Sequence, residues 1–220
     1  MNILVLAAHP DDETLGCGGT VAKLSNEGHD IHLITFTDGG SARISPGDKA
    51  DRRHTIQHVS ELLGIKSYKS FDFPDNAMDT VSLIEIVKVI EQYINNKNIN
   101  PDMVFTHSPY CLNIDHKIVY NATITAFRGL ECFNPIKILA YEVPSSSEWN
   151  PISNFLPNCY FDISKTLDKK IEALKIYSDE MRRHPHPRSL ENCKRLAMTY
   201  GTESGLNAAE RFMILREVIK

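Results

Sequence analysis

The chain is predicted to form an α/β domain with a doubly wound, mostly parallel sheet flanked by helices. Three observations carry this. Short apolar runs of strand length alternate with longer segments of helical periodicity through about residue 142, the order that puts helices over both faces of a parallel sheet. The first apolar run, Ile3-Leu4-Val5-Leu6, is uninterrupted, as a strand covered on both faces requires. The segment that leaves it carries His9, Asp11, Asp12 and Glu13, and such sheets place their ligands beyond the carboxyl ends of strands.

The elements follow in order. Asn2 to Ala8 is the first strand, and Thr20 to Gly28 the first helix, with Gly28 as its stop signal. Ile31 to Phe36 is the second strand. Asp38 to Gly47 is a turn-rich loop containing Gly39, Gly40, Pro46 and Gly47. Lys49 to Leu63 is a helix ended by Gly64, and Tyr68 to Phe71 a weak strand. In Thr80 to Asn95, Val81, Ile84, Val87, Val89, Ile90 and Ile94 form one helical face. Pro101 to Thr106 begins a strand, Asp115 to Phe127 is a helix, and Ile136 to Glu142 is a strand. After a loop from Ser145 to Pro157, Asn158 to Ile163 adds an edge strand. The tail reads as three helices: Lys165 to Ser178, Ser189 to Tyr200 and Ala208 to Val218. No composition break or repeat divides the chain, so residues 1–220 are expected to form one domain with a helical C-terminal tail.

Composition narrows the function. With 42% apolar residues among 220, the chain can bury a sizeable core. Its net charge of -4 and short basic clusters, Arg52-Arg53 and Arg182-Arg183, lack the basic footprint of a nucleic-acid binder. No apolar run approaches the roughly 20 residues of a membrane span, and no basic leader precedes the first strand. The cysteines are odd in number, five, with no C-x-x-C pair. That fits a reducing compartment, and the expected location is the cytoplasm. Cys17 and Cys111 flank the candidate site and read as packing residues.

His9 and Asp12 are three residues apart across a strand-to-helix turn, so their side chains can converge. A neutral imidazole with a carboxylate suits Zn²⁺ or a similar divalent ion. A catalytic site of this kind takes three protein ligands and leaves a position open, so a third ligand must come from elsewhere. His116, in Leu112-Asn113-Ile114-Asp115-His116, is the candidate, because it too follows an apolar strand, Val104-Phe105-Thr106. If that strand lies beside the first, His9 and His116 meet at the switch point. Asp115 fits an N-cap or a partner that orients a ligand imidazole. Glu13 fits the first turn of a helix as well as it fits the site. Among the other histidines, His107 lies nearest the site in sequence. The competing motif is a dinucleotide loop, from Gly16-x-Gly18 with Asp38 downstream. Val21 stands where its third glycine belongs, and the acids would face a pyrophosphate.

The run Ala8-His9-Pro10-Asp11-Asp12-Glu13, with Asn113-Ile114-Asp115-His116 downstream, resembles the PIG-L / LmbE-like superfamily of zinc-dependent de-N-acetylases. Asp72-Phe73-Pro74-Asp75-Asn76, the segment from Glu142 to Trp149, and His184-Pro185-His186-Pro187-Arg188-Ser189 look like a bacterial branch associated with amino-sugar modification. The resemblance implies a Rossmann-like, LmbE-like fold. It implies a hydrolase that removes the N-acetyl group from an amino sugar or sugar conjugate. In that scheme His9, Asp12 and His116 bind zinc or another divalent metal. Asp11 is the general base toward the zinc-bound water and then the acid toward the leaving amine. Many relatives carry a histidine where Asn113 stands, assigned to oxyanion or leaving-group stabilisation. An amide can donate to an oxyanion but cannot shuttle a proton, so His186 or His184 is the alternative for that role. Arg52, Asp75 and Glu142 would contact the sugar, with Ser146 and Trp149 at the pocket wall. The implied partner is a small N-acetylated sugar. A late histidine that reaches a neighbouring subunit in some relatives allows for a homo-oligomer. The rival expectations are hydrolysis of another small amide or thiol conjugate on the same metal site, and a non-catalytic sugar- or nucleotide-binding module. The latter has no use for a base beside a metal.

Overall fold

The structure is a computed structural model that describes residues 1–39, 52–129, 135–152 and 154–219, with only the backbone of Arg52 and Arg53. The expected loop beyond Gly39, the helix start expected at Lys49 and the side chain of Arg52 lie outside the described residues. The elements are β1 (Asn2–Ala7), α1 (Asp12–Asn26), β2 (Asp30–Thr37), α2 (Arg52–Leu63), β3 (Ser67–Phe73), a 3-10 turn (Met78–Thr80), α3 (Leu83–Lys97), β4 (Met103–His107), α4 (Ile114–Ala126), β5 (Lys137–Tyr141), β6 (Cys159–Asp162), α5 (Leu167–Ile176), α6 (Leu190–Ser204) and β7 (Ala209–Glu217).

The seven strands form one sheet in the order β3-β2-β1-β4-β5-β7-β6. β1 pairs in parallel with both β2 and β4, Ile3 lying opposite Met103 and Val5 opposite Phe105. The chain therefore winds outward from β1 in one direction through β2 and β3, and in the other through β4 and β5. The switch point falls between β1 and β4, and the segments after both strands open at that one edge. Strand alternation divides the core in two. Ile3, Val5 and Ala7 pack with Val21, Leu24 and Leu174 on one face. Leu4, Leu6 and Ala8 pack with Ile86, Ile90, Val119 and Ala122 on the other. Full burial of each such aliphatic side chain contributes about 1.5–3 kcal/mol, so β1 is firmly held beneath the loop it feeds.

Two expectations need correction. The first helix begins at Asp12, not Thr20, so the acidic motif is itself the helix start. Asp12 and Glu13 sit in the first turn, where carboxylates favour the exposed N–H groups of a helix. The helix is then broken at Cys17 (φ -144°, ψ 18°). The break brings Gly16 so close to the Tyr141 ring that a Cβ would meet it at 2.2 Å. The second correction concerns Ala208 to Val218, expected as the last helix. It is strand β7, antiparallel to β5 and to β6. β5 would otherwise present an unpaired edge. The run Phe212-Met213-Ile214-Leu215 suits a pleated surface, and Gly205, in the left-handed region at φ 74°, stops α6 before it.

Candidate active site

The site begins where β1 ends. Asp11 has φ 120°, a conformation that costs a non-glycine residue energy. Its carbonyl accepts from Thr14 N and Leu15 N at 3.0 and 2.8 Å, so this strained residue starts the helix. Glu13 braces it from below. Its carboxylate accepts from Asp11 N at 3.1 Å, from the Thr14 hydroxyl at 2.7 Å and from the Tyr177 hydroxyl at 2.9 Å. Glu13 thus supports the turn and does not face the site.

Three donors converge above this turn. His9 Nδ1 lies 3.1 Å from Asp12 Oδ2 and 3.3 Å from His116 Nε2, and His116 Nε2 lies 3.2 Å from Asp12 Oδ2. Ligands about 2.1 Å from one ion at tetrahedral angles would stand about 3.4 Å apart, so the spacing fits a single small cation. A second ligand-competent group, His9, Asp75 and Asp115, shares the same imidazole through its other face. His9 Nε2 lies 3.1 Å from Asp115 Oδ2 and 3.3 Å from Asp75 Oδ1. Asp115 is fixed by the backbone N–H groups of Asn76 and Met78, at 2.7 and 3.1 Å. With Nδ1 turned to Asp12 and His116, Nε2–H donates to these carboxylates, the arrangement that orients a metal-bound histidine.

The electrostatics point the same way. Burial pulls His116 down, but the Asp12 charge outweighs it and pushes the ring up to about 9. Burial also opposes the charged form of His9, yet bonds to Asp115 and Asp12 hold it well above the ordinary histidine value. Burial raises Asp12, but the neighbouring His116 charge and the bonds to His116 and His9 hold it well below the usual carboxylate range. The cluster thus draws positive charge to itself. Asp12 Oδ1 remains buried without a hydrogen-bond partner. Two imidazoles and one carboxylate, whose second oxygen is orphaned, form in one buried spot a donor set that could hold a divalent metal.

Beside them, Asp11 is buried, and Arg188 donates to its Oδ2 at 2.8 Å while Oδ1 has no partner. Burial is the main reason its pKa rises to about 7, against the opposing pull of Arg188. A carboxyl group poised there suits proton transfer at neutral pH.

The structure separates the other expected residues. Asp75 joins the cluster. Asn113 is the N-cap of α4: its Oδ1 accepts from Asp115 N at 2.8 Å and His116 N at 3.4 Å, and its Nδ2 donates to Asn76 at 3.2 Å. The amide oxygen thereby holds the start of α4, the helix that carries His116. His186 accepts from Arg188 N at 3.1 Å and meets the exposed Trp149 edge-on at 5.7 Å. The member of that segment that reaches Asp11 is Arg188. Glu142 is not at the cluster either; it pairs with Arg211 at 3.0 Å and lines a cavity of about 350 Å³ between α1, α6 and β7.

Sequence reasoning missed the importance of His107, Cys111 and Arg188. His107 is stacked on His116 with ring centroids 3.9 Å apart, and its Nε2 accepts from Ala8 N at 2.9 Å. Its proton therefore sits on Nδ1. Burial, with the neighbouring His116 charge, holds its pKa well below the ordinary value. Cys111 Sγ lies 3.0 Å from His116 Nδ1, which leaves Nε2 for the cluster. The one available signal for His107 was its place at the carboxyl end of the strand beside β1.

A doubly wound α/β protein with a candidate metal centre and a buried carboxylate beside it at its switch point is the class that fold and site define. The profile of the PIG-L family, described as GlcNAc-PI de-N-acetylase, matches residues 4–127, and the chain belongs to that family. The match takes in His9, Asp11, Asp12, Asp75, Asn113 and His116, and ends before Glu142, His186 and Arg188. A diacetylchitobiose deacetylase of Thermococcus kodakarensis is 28% identical over 218 residues, covering 94% of this chain and 80% of the relative. The conserved protein TT1542 of Thermus thermophilus superposes with a TM-score of 0.81 at 25% identity, over 99% of this chain and 96% of its own. The hydratase GalB of Pseudomonas putida shares the fold at a TM-score of 0.75 and 21% identity, over 100% of this chain and 98% of its own. That fold is therefore not tied to one reaction.

Proposed function

We propose that this chain is a metal-dependent de-N-acetylase that hydrolyses the acetamide of an N-acetylated amino sugar or sugar conjugate. The convergence of His9 Nδ1, Asp12 Oδ2 and His116 Nε2 beside the unpartnered Asp11 Oδ1 carries the reading. His9, Asp12 and His116 would hold the metal, with zinc the best fit to two imidazoles and one carboxylate. When bound, such an ion lowers the pKa of a coordinated water and polarises a carbonyl. Asp11 takes the proton of the attacking water as its oxygen bonds to the acetyl carbon. As the C–N bond breaks, Asp11 returns that proton to the departing nitrogen, leaving acetate and a free amine. Asp75 stands at the edge of the cluster, where a sugar hydroxyl could reach it. The family description and the name of the Thermococcus relative support an amino-sugar substrate.

The test is a panel of N-acetylated sugars assayed for acetate and amine together, with metal-stripped protein reloaded with Zn²⁺. Equal release of both products, lost on stripping, is expected. In Asp11→Asn the rate should fall by about 10²- to 10⁴-fold while metal stoichiometry stays at one. Reaction without release of an amine would replace hydrolysis with another chemistry. Absence of a metal bound by His9, Asp12 and His116 would overturn the reading.

A further inference from the structure

The base has two oxygens, and their surroundings differ. Asp11 Oδ2 accepts from Arg188 Nη1 at 2.8 Å, whereas Oδ1 is buried and unpartnered. The guanidinium is itself clamped. Its Nε donates to Pro144 O at 3.2 Å and to Ser145 Oγ at 2.8 Å, and Nη1 lies 3.5 Å from Glu180. The backbone under it is fixed as well: Arg188 N donates to His186 Nδ1, Arg188 O accepts from Arg182 N at 3.3 Å, and Ser189 caps α6 immediately after it. A planar fork held at Nε presents Nη1 in a set direction.

We propose that Arg188 is the positioning residue for Asp11: it holds Oδ2 and so makes Oδ1 the single oxygen that exchanges protons during turnover. The proposal rests on the amide-hydrolase reading of the site. The physical case is that a short carboxylate with one anchored oxygen cannot turn about its Cβ–Cγ bond. The free oxygen then keeps one direction, and a base displaced by about 1 Å can cost about 10²-fold in rate. Arg188 comes from a segment beyond residues 4–127, so the base matched by the family profile is held by a part of the chain outside it. His186, from the same turn, supports the Arg188 backbone and does not meet the base.

The experiment uses the full-length, zinc-loaded protein with Arg188→Ala, Arg188→Lys and Ser145→Ala. Ser145→Ala removes one strut of the clamp and leaves the ion pair with Asp11. In Arg188→Ala, kcat should fall about 10²-fold with KM nearly unchanged. Added guanidinium should restore part of that loss, and should restore none in Asp11→Asn. Arg188→Lys should recover only part, and Ser145→Ala should show a smaller loss in kcat. A rise in KM with kcat intact would make Arg188 a substrate anchor and overturn the proposal, as would full activity in Arg188→Ala. Crystal structures of the wild type and Arg188→Ala give a readout independent of turnover. Asp11 should turn, or spread over two orientations, without the guanidinium; an unmoved carboxylate overturns the proposal even if no acetamide is hydrolysed. Wild-type inactivity on every acetamide would instead count against the hydrolase reading.

Discussion

At the scale of single residues, the site is a set of tautomer and proton assignments. Cys111 at His116 Nδ1 and Asp115 at His9 Nε2 leave the opposite ring nitrogens facing Asp12. Without a cation, those nitrogens are held protonated by the Asp12 charge, His116 up to about 9 and His9 well above its ordinary value. A metal ligand must be neutral, so metal must displace protons. Zinc added to metal-free protein at pH 7 in weak buffer should release about two protons per ion, one from each imidazole, and apparent affinity should fall as pH is lowered. Titration with a pH dye beside a zinc-binding isotherm measures both; binding without proton release would contradict the assignment. A second residue-scale prediction concerns Glu13, whose pKa burial raises against the bonds that favour its charge. Tyr177→Phe removes the 2.9 Å donor and adds no volume. It should lower stability by about 1.5–3 kcal/mol, read from urea denaturation.

At the scale of elements, two helix starts hold the chemistry. α4 presents His116, and Asn113 caps it. Asn113→Asp keeps an acceptor for the two N–H groups but has no amide donor. It should retain both fold and activity, whereas Asn113→Ala should cost about 1 kcal/mol and weaken metal binding. Loss of activity in Asn113→Asp with metal still bound would restore a direct chemical role to the amide. In α1, the break at Cys17 frees backbone groups that β7 and α5 satisfy. Glu210 accepts from Gly19 N and Thr20 N at 3.0 and 2.7 Å, Lys170 donates to Leu15 O at 2.9 Å, and the two side chains meet at 2.5 Å. Lys170→Met strands a buried carboxylate and should cost about 3–5 kcal/mol. The double change with Glu210→Gln should cost less than the sum of the two single changes. This network also shows why the tail was misread. Ala, Glu and Arg in 209–217 suit a helix by propensity. The reason for a strand lies in the open edge of β5 and the freed N–H groups of α1, both distant in sequence.

At the scale of the whole molecule, legibility follows distance along the chain. The parallel half of the sheet was readable because each strand carries its own apolar run. His9, Asp12 and His116 were readable because they follow β1 and β4, whose adjacency is what winding outward from β1 produces. Arg188 was not, since nothing in its own neighbourhood indicates that it reaches Asp11, and the place of His107 at the end of β4 did not by itself show that its ring stacks on His116. The pairing of Glu142 with Arg211 was not readable, because it forms across the end of β5 to β7, whose residues suit a helix by propensity. The same long-range logic predicts how the fold responds to acid. His32 on β2 is buried, its Nδ1 lies 2.8 Å from Ser67 Oγ on β3, and its Nε2 has no partner. Burial lowers its pKa, with Lys66 and Lys97 acting in the same direction and Asp30 against it. The unfolded chain therefore binds a proton at this histidine more readily than the folded chain does. The sign follows: the contribution of His32 to stability is complete above its unfolded value, near 6.5, and is lost as pH falls through the lowered folded value. His32→Leu removes that dependence, and Ser67 keeps the Tyr93 hydroxyl at 2.7 Å as its partner. Denaturation of metal-free protein between pH 7.5 and about 5 should give a shallower decline in the variant than in the wild type. Parallel declines would show that strand β2 accommodates a charged imidazole, and that acid lability arises at the His9–Asp12–His116 cluster instead.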